Sequence, residues 1–258
     1  MTVIVTEAAG TGDGFKRYFE VVPALTEAEK QATFRIRHSV YCEDLGWEAI
    51  RDDGMETDGY DAQSLHCLIR SRATADFIGC VRLVLPSPDD PMAPLPFERT
   101  CAETLDPSLV GPATLGRSKI AEVSRLAIVG QYRRRRGEDR TPGTLQDSDF
   151  DASRPRFPYL LVGLYMGVFA LADMHGLERL FLLAEPRLAR HLNKIGISNE
   201  PVGGAIQHRG LRAPAVMRVR HVIDHLDPLL RSIYDVVRDE LEAAYRAAGH
   251  NVELGLAR

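Results

Sequence analysis

The run from Tyr159 to Met174 (YLLVGLYMGVFALADM) constrains the fold of this chain more than any other segment. It is apolar on every side of a helix, yet shorter than the roughly 20 residues that span a bilayer. Such a helix belongs in the core of a layered fold, packed against a sheet. The Gly163-x-x-x-Gly167 pair within it then reads as close approach of helix to sheet, not as a membrane dimerisation face.

Around this helix the chain has room for a large core, since 45% of its 258 residues are hydrophobic and 26% are charged. A formal net charge of -4 gives no global pull toward phosphate backbones or anionic lipid, which disfavours nucleic acid as a partner. The first residues, Met1 to Glu7, lack the basic segment and long apolar run of a secretory signal, so a cytoplasmic location is expected. Cys42, Cys67, Cys80 and Cys101 stand singly, without C-x-x-C spacing, and are expected to be reduced core residues that form no metal site.

Element signals follow in order. Phe15 to Val22 alternates like a strand, and Thr26-Glu27-Ala28-Glu29 has the T-x-x-E form of a capping box, which predicts a helix running to about Leu45 and ending at Gly46. Leu65 to Ile69 and Phe77 to Leu85 read as an antiparallel hairpin, and Lys119 to Val129 as a central strand. Residues 131–157 read as an exposed insertion. After the buried helix come a strand at Arg179 to Ala184, a short helix from Pro186, a strand at Ala213 to Val219 and an amphipathic helix over 228–248. This order predicts a single α/β domain over 1–258, with a mostly antiparallel central sheet flanked by helices. Its N-terminal half is 15–130 and its C-terminal half 158–227.

Charge inside apolar strands is the chemical signal. Arg82 lies in Gly79-Cys80-Val81-Arg82-Leu83, and Glu122 and Arg125 lie in Ala121-Glu122-Val123-Ser124-Arg125-Leu126. Buried charges of this kind must find partners. Candidates come from Arg37 and Tyr41, four apart on one helix, from Trp47 just beyond that helix, and from Asp58 and Asp61 on the acidic loop that follows. Taken singly, each has a plain structural reading as an ion pair, a core aromatic or a solvated acid.

Together, the R-x-x-x-[FY] helix, the L-G-W turn, the G-M-E-x-D-x-[YF]-D loop, the V-R strand and the E-x-S-R-[LF] strand resemble acyl-homoserine-lactone synthases and long-chain N-acyl amino acid synthases. The matched set is Arg37, Tyr41, Trp47, Asp58, Asp61, Arg82, Glu122 and Arg125, with Tyr41 where Phe is often found. In the second half, Gly163-Leu164-Tyr165, Glu185 to Arg190 and His208 to Pro214 are similar to exosortase (PEP-CTERM) system-associated acyltransferases. The resemblance implies a GNAT-like fold and transfer of a fatty acyl group from a carrier thioester to the amine of an amino-acid-like acceptor.

On that reading Glu122 is the candidate general base, or else a standing partner of Arg82 or Arg125. Arg37, Tyr41, Trp47, Asp58 and Asp61 would shape the acceptor site. Backbone N–H groups around Ala127 to Gly130, including Ile128 and Val129, would face the thioester. Arg133, Arg134, Arg135 and Arg136 stand where GNAT enzymes cradle a pyrophosphate, but the run is poor in glycine and suits the acidic face of an acyl carrier protein better than coenzyme A. No tightly bound cofactor and no metal are expected. No G-x-S-x-G is present, and the cysteines have no evident activating partner, so a covalent acyl-enzyme is disfavoured. Two other readings remain: a lactone-forming synthase that consumes S-adenosylmethionine, and a non-catalytic binder of acyl carrier or lipid. The positions of His208 and Arg212 suggest contact with a substrate carboxylate, but an isolated His or Arg near a loop is more often structural, so neither joins the primary set.

Overall fold

The computed structural model describes residues 2–110, 116–133 and 159–249, with side chains from position 10 onward and without that of Arg133. Helix α1 (Thr2–Tyr18) leads into β1 (Phe19–Pro23). Phe15 to Tyr18, expected in a strand, are therefore helical, and only the segment from Phe19 on is extended. Phe15 is fully buried beside Phe19 and Tyr159, so the alternation seen in sequence marks a packed helix end.

Helix α2 (Glu27–Arg37) starts at the expected capping box: Glu29 N–H donates to the Thr26 hydroxyl, and Thr26 N–H donates to the Glu29 carboxylate. It continues as a π-helical stretch, His38–Asp44, before Gly46 at φ +62° turns the chain. β2 (Ser64–Ser71) and β3 (Phe77–Val84) form the hairpin. Short helices α3 (Pro96–Thr100) and α4 (Pro107–Val110) precede β4 (Ile120–Ile128), which ends at α5 (Gly130–Arg133). Then come α6 (Tyr159–Met174), β5 (Arg179–Ala184), α7 (Pro186–Lys194), β6 (Glu200–Pro201), β7 (Ile206–Gln207), β8 (Leu211–Arg218), α8 (Val219–Asp224) and α9 (Pro228–Ala247). The expected insertion falls largely outside the described residues.

The sheet runs β1-β2-β3-β4-β5-β8-β6, with β7 also on β8, and every pairing is antiparallel except β4 with β5. This is the GNAT-like mixed sheet, mostly antiparallel and flanked by helices, with a C-terminal helix added. Along the strands, alternation sorts side chains to two faces. Cys67, Ile69, Val81, Leu83 and Ala121 meet α6 and join its core, whereas Leu68 and Cys80 meet Ile36, Val40 and Tyr41 beneath α2. Arg82 follows Cys80 by two residues and Glu122 pairs with Val84, two further along β3, so both share the α2 side of the sheet.

α6 is buried almost throughout, between the sheet and α9, and α9 also supports α1. Its two glycines mark the close approach anticipated from sequence. A Cβ at Gly167 would lie 2.7 Å from Cys67 Sγ, and one at Gly163 would lie 2.5 Å from Phe15 Cε2. Core packing this dense leaves no slack for an added methyl. Gly167→Ala is expected to cost about 1–3 kcal/mol in urea unfolding. Cys67→Ala in the same chain should recover part of that loss as a measurable coupling energy.

Candidate functional site

A cavity of about 280 Å³ opens beside β4, lined by Tyr41, Trp47, Asp58, Arg82, Glu122 and Arg125 from the N-terminal half and by Leu183, His208, Arg209 and Arg212 from the C-terminal half. Strand topology creates it. β4 and β5 pair only from Ile120 with Arg179 to Val123 with Leu182, after which β4 continues along β3 while β5 continues along β8. The gap between the diverging strands is where Val123, Ser124, Arg125 and Leu183 meet the cavity.

Parity alone would aim Arg125 at the apolar face of the sheet, because it lies an odd number of residues from Glu122. A β-bulge corrects this. Cys80 pairs with Ala127 and Arg82 with Ser124, so Val81 stands opposite both Arg125 and Leu126. Arg125 adopts φ +53°, a left-handed backbone that costs a non-glycine residue roughly 1–2 kcal/mol. Its side chain thereby joins Arg82 on the α2 side, and Ala127 rather than Leu126 packs there.

The charges close into one network. Arg37, fully buried, donates from Nε to Glu56 (2.5 Å) and from Nη1 to Asp61 (2.6 Å). Arg82 Nη1 donates to Asp58 and Asp61 (2.7 Å each), and its Nε reaches the Ser124 hydroxyl at 3.1 Å. Arg125 donates to Glu56 (3.2 and 3.3 Å) and Asp58 (3.2 Å), with Glu48 3.5 Å away. The acidic loop is fastened to α2 by Glu56 N–H on the Phe34 carbonyl, and folded on itself by Asp58 N–H on Asp61 and Tyr60 N–H on Asp58. Burial pushes the Asp61 carboxyl up, but Arg37 and Arg82 outweigh it and hold the group at about 2. Glu56 and Asp58 are lowered in the same way, against the same burial. His66, buried next to Asp61, is driven down to about 4 by desolvation and so remains neutral.

Glu122 has a different environment. Its carboxylate accepts the Phe97 N–H (2.7 Å) at the start of α3, and among the described residues no guanidinium forms a salt bridge with it. Burial raises it to about 7, with the Phe97 bond and the more distant Arg82 and Arg125 charges acting the other way. It is thus a carboxyl able to exchange a proton near neutral pH in a cavity that admits a small molecule.

Tyr41 and Trp47 stack with ring centroids 6.0 Å apart, and the Tyr41 hydroxyl donates to the Leu126 carbonyl at 2.7 Å. Burial moves that phenol's pKa upward, so it stays neutral. Arg125 lies over Tyr41 and Arg212 over Trp47. The hairpin turn between β7 and β8 places Arg209 (φ +52°) and Gly210 (φ +101°) in left-handed backbone, and Arg209 reaches across to Glu48 at 2.6 Å.

The structure brings together Arg37, Tyr41, Trp47, Asp58, Asp61, Arg82, Glu122 and Arg125. Ile128 and Val129 lie elsewhere: Ile128 packs in the main core, and Val129 N–H is bonded to the Ile78 carbonyl at 2.9 Å. That N–H is therefore not free to meet a thioester. Arg134, Arg135 and Arg136 lie outside the described residues, as does the Arg133 side chain. Sequence reasoning passed over Glu56, although it sits in the quoted G-M-E loop. Two buried guanidiniums, Arg37 and Arg82, and the half-buried Arg125 against Asp58 and Asp61 leave one charge short, and that count points to it. Glu48 and Phe97 gave no sequence signal, Ser124 and Arg209 lie within quoted segments without being singled out, and His208 and Arg212 prove to line the cavity. All four cysteines are free and buried, and burial pushes the Cys80 thiol up to about 12.

Residues 36–141 match the acetyltransferase (GNAT) domain family. Two curated relatives are acyl-homoserine-lactone synthases. The one from Vibrio anguillarum is 30% identical over 70 residues, covering 27% of this chain and 35% of its own length. The one from Aeromonas salmonicida is 24% identical over 199 residues, covering 74% and 83%. The chain thus spans about a third of the first relative and most of the second. Among solved structures, TofI, crystallised with an inhibitor and MTA, superposes with a TM-score of 0.54 at 19% identity over 82% of this chain and 99% of its own. The CoA-dependent acyl-homoserine lactone synthase BjaI gives 0.54 at 17% identity over 90% of each chain. FeeM, an N-acyl amino acid synthase from uncultured soil microbes, gives 0.52 at 13% identity over 82% and 96%. These structural likenesses establish the fold. No helix among the described residues is long and apolar enough to cross a membrane.

Asp61 is the acid shared by two buried guanidiniums, so Asp61→Asn leaves Arg37 and Arg82 undercompensated. The expected loss is about 3–5 kcal/mol in equilibrium unfolding. Arg35→Gln, on the exposed side of α2, is expected to change stability by under about 0.5 kcal/mol in the same assay.

Proposed function

We propose that this protein is an N-acyltransferase that moves a fatty acyl group from a carrier thioester to the amine of an amino-acid-like acceptor, in the manner of an N-acyl amino acid synthase. The observation that carries the reading is Glu122, a buried carboxyl held near pKa 7 in the same cavity as the Arg82, Asp58 and Arg125 network. An acceptor arriving as an ammonium ion must lose a proton before its nitrogen attacks. Glu122 takes that proton, directly or through a water, and the freed nitrogen then adds to the thioester carbonyl carbon. The carbon–sulfur bond then breaks, and the second proton, lost by the nitrogen as it becomes an amide, converts the departing thiolate to the free carrier thiol. Arg37, Asp58, Asp61, Arg82 and Arg125 fix the walls within which this happens, and Tyr41 and Trp47 supply an apolar face.

An acyl carrier protein is favoured as donor over coenzyme A by the arginine run at 133–136, whose charge suits an acidic partner. The similarity of Glu185 to Arg190 and His208 to Pro214 to exosortase-associated acyltransferases supports a place in such a protein-sorting system, and both segments contribute residues beside the cavity. The synthase relatives favour one second reading, lactone formation from S-adenosylmethionine. Mass spectrometry of products from purified protein separates the two: an N-acyl amino acid with free carrier thiol supports the first, whereas a homoserine lactone with methylthioadenosine supports the second.

Because burial raises Glu122, the carboxylate form predominates only above about pH 7. The value of kcat/KM is expected to climb with pH through that region. In Glu122→Gln this limb should vanish, and the rate should fall by about 10²–10⁴. Stability should move the other way. A carboxyl with a raised folded pKa supports folding fully below its unfolded value and loses that support as pH rises through the folded one. The Gln variant should therefore gain in Tm relative to the parent between pH 4 and pH 8.

A further inference from the structure

Among the guanidiniums that line the cavity, Arg212 alone has no close carboxylate among the described residues. Arg82, Arg125 and Arg209 each have a carboxylate oxygen within 2.6–3.2 Å, whereas the nearest to Arg212 among the described residues is Glu185 at 4.0 Å. Its other partners are neutral and hold the side chain in place: Nε donates to the His208 carbonyl at 2.9 Å, Nη1 makes a long 3.4 Å contact to the Leu183 carbonyl, and the guanidinium lies over the Trp47 ring at 5.6 Å. Burial lowers its pKa, unlike that of Arg37 or Arg125, whose carboxylate partners raise theirs. This is a partly desolvated, oriented cation with unfilled capacity for an anion, facing the space that also contains Glu122.

We propose that Arg212 binds the carboxylate of the acceptor and so sets a preference for amines that carry one. The assignment rests on the acyl transfer proposed above and gives a residue of β8 a substrate-binding role beside the acceptor-site residues of the N-terminal half. A guanidinium fork matches a carboxylate with two parallel N–H donors, which fixes orientation as well as charge. Arg209 does not suit the task, because it is already bound to Glu48. A phosphate of the donor is the other source of an oxyanion. The acceptor is preferred because the stacked Tyr41–Trp47 pair and Glu122 share the cavity with Arg212, which suits a compact zwitterion whose amine must reach the base.

The test offers the standard amino acids singly, each alongside the amine that lacks its carboxyl group, with long-chain acyl carrier protein and acyl-CoA thioesters as donors. Wild type is expected to show a KM at least about tenfold lower for the carboxylate-bearing acceptor. In Arg212→Gln, the KM for that acceptor should rise by about 10- to 100-fold with a smaller change in kcat, and the preference over the carboxyl-free amine should disappear. Arg212→Lys should keep part of the preference. Calorimetric titration of the free protein with the same ligand pairs reads the discrimination without turnover, so absence of acyl transfer would count against the proposed function and leave the inference to be judged on binding. Equal affinity of wild type for both members of every pair, or a rise confined to the KM of the thioester, would overturn it.

Discussion

A guanidinium removed from water is tolerable only where carboxylates and hydrogen-bond acceptors enclose it. Arg37 and Arg82 are 0% and 2% exposed, and the arrangement of the N-terminal half follows from that requirement. The loop carrying Glu56, Asp58 and Asp61 can occupy only the position in which its three acids meet three arginines drawn from α2, β3 and β4. Enclosure is close but incomplete, since Arg37 Nη2 has no hydrogen-bond partner among the described residues. Such a network contributes little net stability compared with an apolar core of equal volume. What it supplies is register: a shifted loop or a slipped strand would strand a buried charge.

Register also explains why two glutamates of one site behave oppositely. Glu56 meets Arg37 and Arg125 and is held ionised, while Glu122, equally buried, meets only a backbone N–H and rises to about 7. The bulge at Arg125 makes this difference possible, because it swings the guanidinium toward Glu56 and Asp58 while Glu122 sits three residues earlier, against α3. A regular strand in this place would send Arg125 to the apolar face of the sheet. The strained φ of one arginine therefore separates a structural cluster of ions from a carboxyl able to move protons.

Much of this was legible in the sequence, and the parts that were not share a cause. The capping box at Thr26, the buried helix 159–174 and the charges in β3 and β4 are local signals, read from spacing and composition within one segment. The bulge is only partly local: the adjacent polar pair Ser124-Arg125 breaks the alternation of E-V-S-R-L, but where the extra residue falls depends on which residue of β3 faces which residue of β4. The strand read at Phe15 to Val22 holds from Phe19 onward, and its first four residues are helical for a similar reason. A helix end packed on Phe19 and Tyr159 places apolar residues at intervals that mimic a strand, and tertiary packing decides the outcome. Glu56 was hidden among neighbouring acids, distinguishable only by counting the arginines to be matched.

The two halves are joined at the cavity by one acid. Glu48 lies against Arg125 at 3.5 Å and Arg209 at 2.6 Å, and these are two of the three non-glycine residues with positive φ among the described residues. Each carries a backbone strain of roughly 1–2 kcal/mol, which persists only where surrounding contacts overdetermine the conformation. At Arg125 those contacts are Glu56, Asp58 and the Tyr41 ring. At Arg209, on an exposed turn, the side-chain contact is Glu48 itself. The β7–β8 turn is thus the less firmly held of the two walls, and the wall built on Arg37, Arg82 and Arg125 is the fixed one. Arg212, the second residue of β8, stands at the junction of the two.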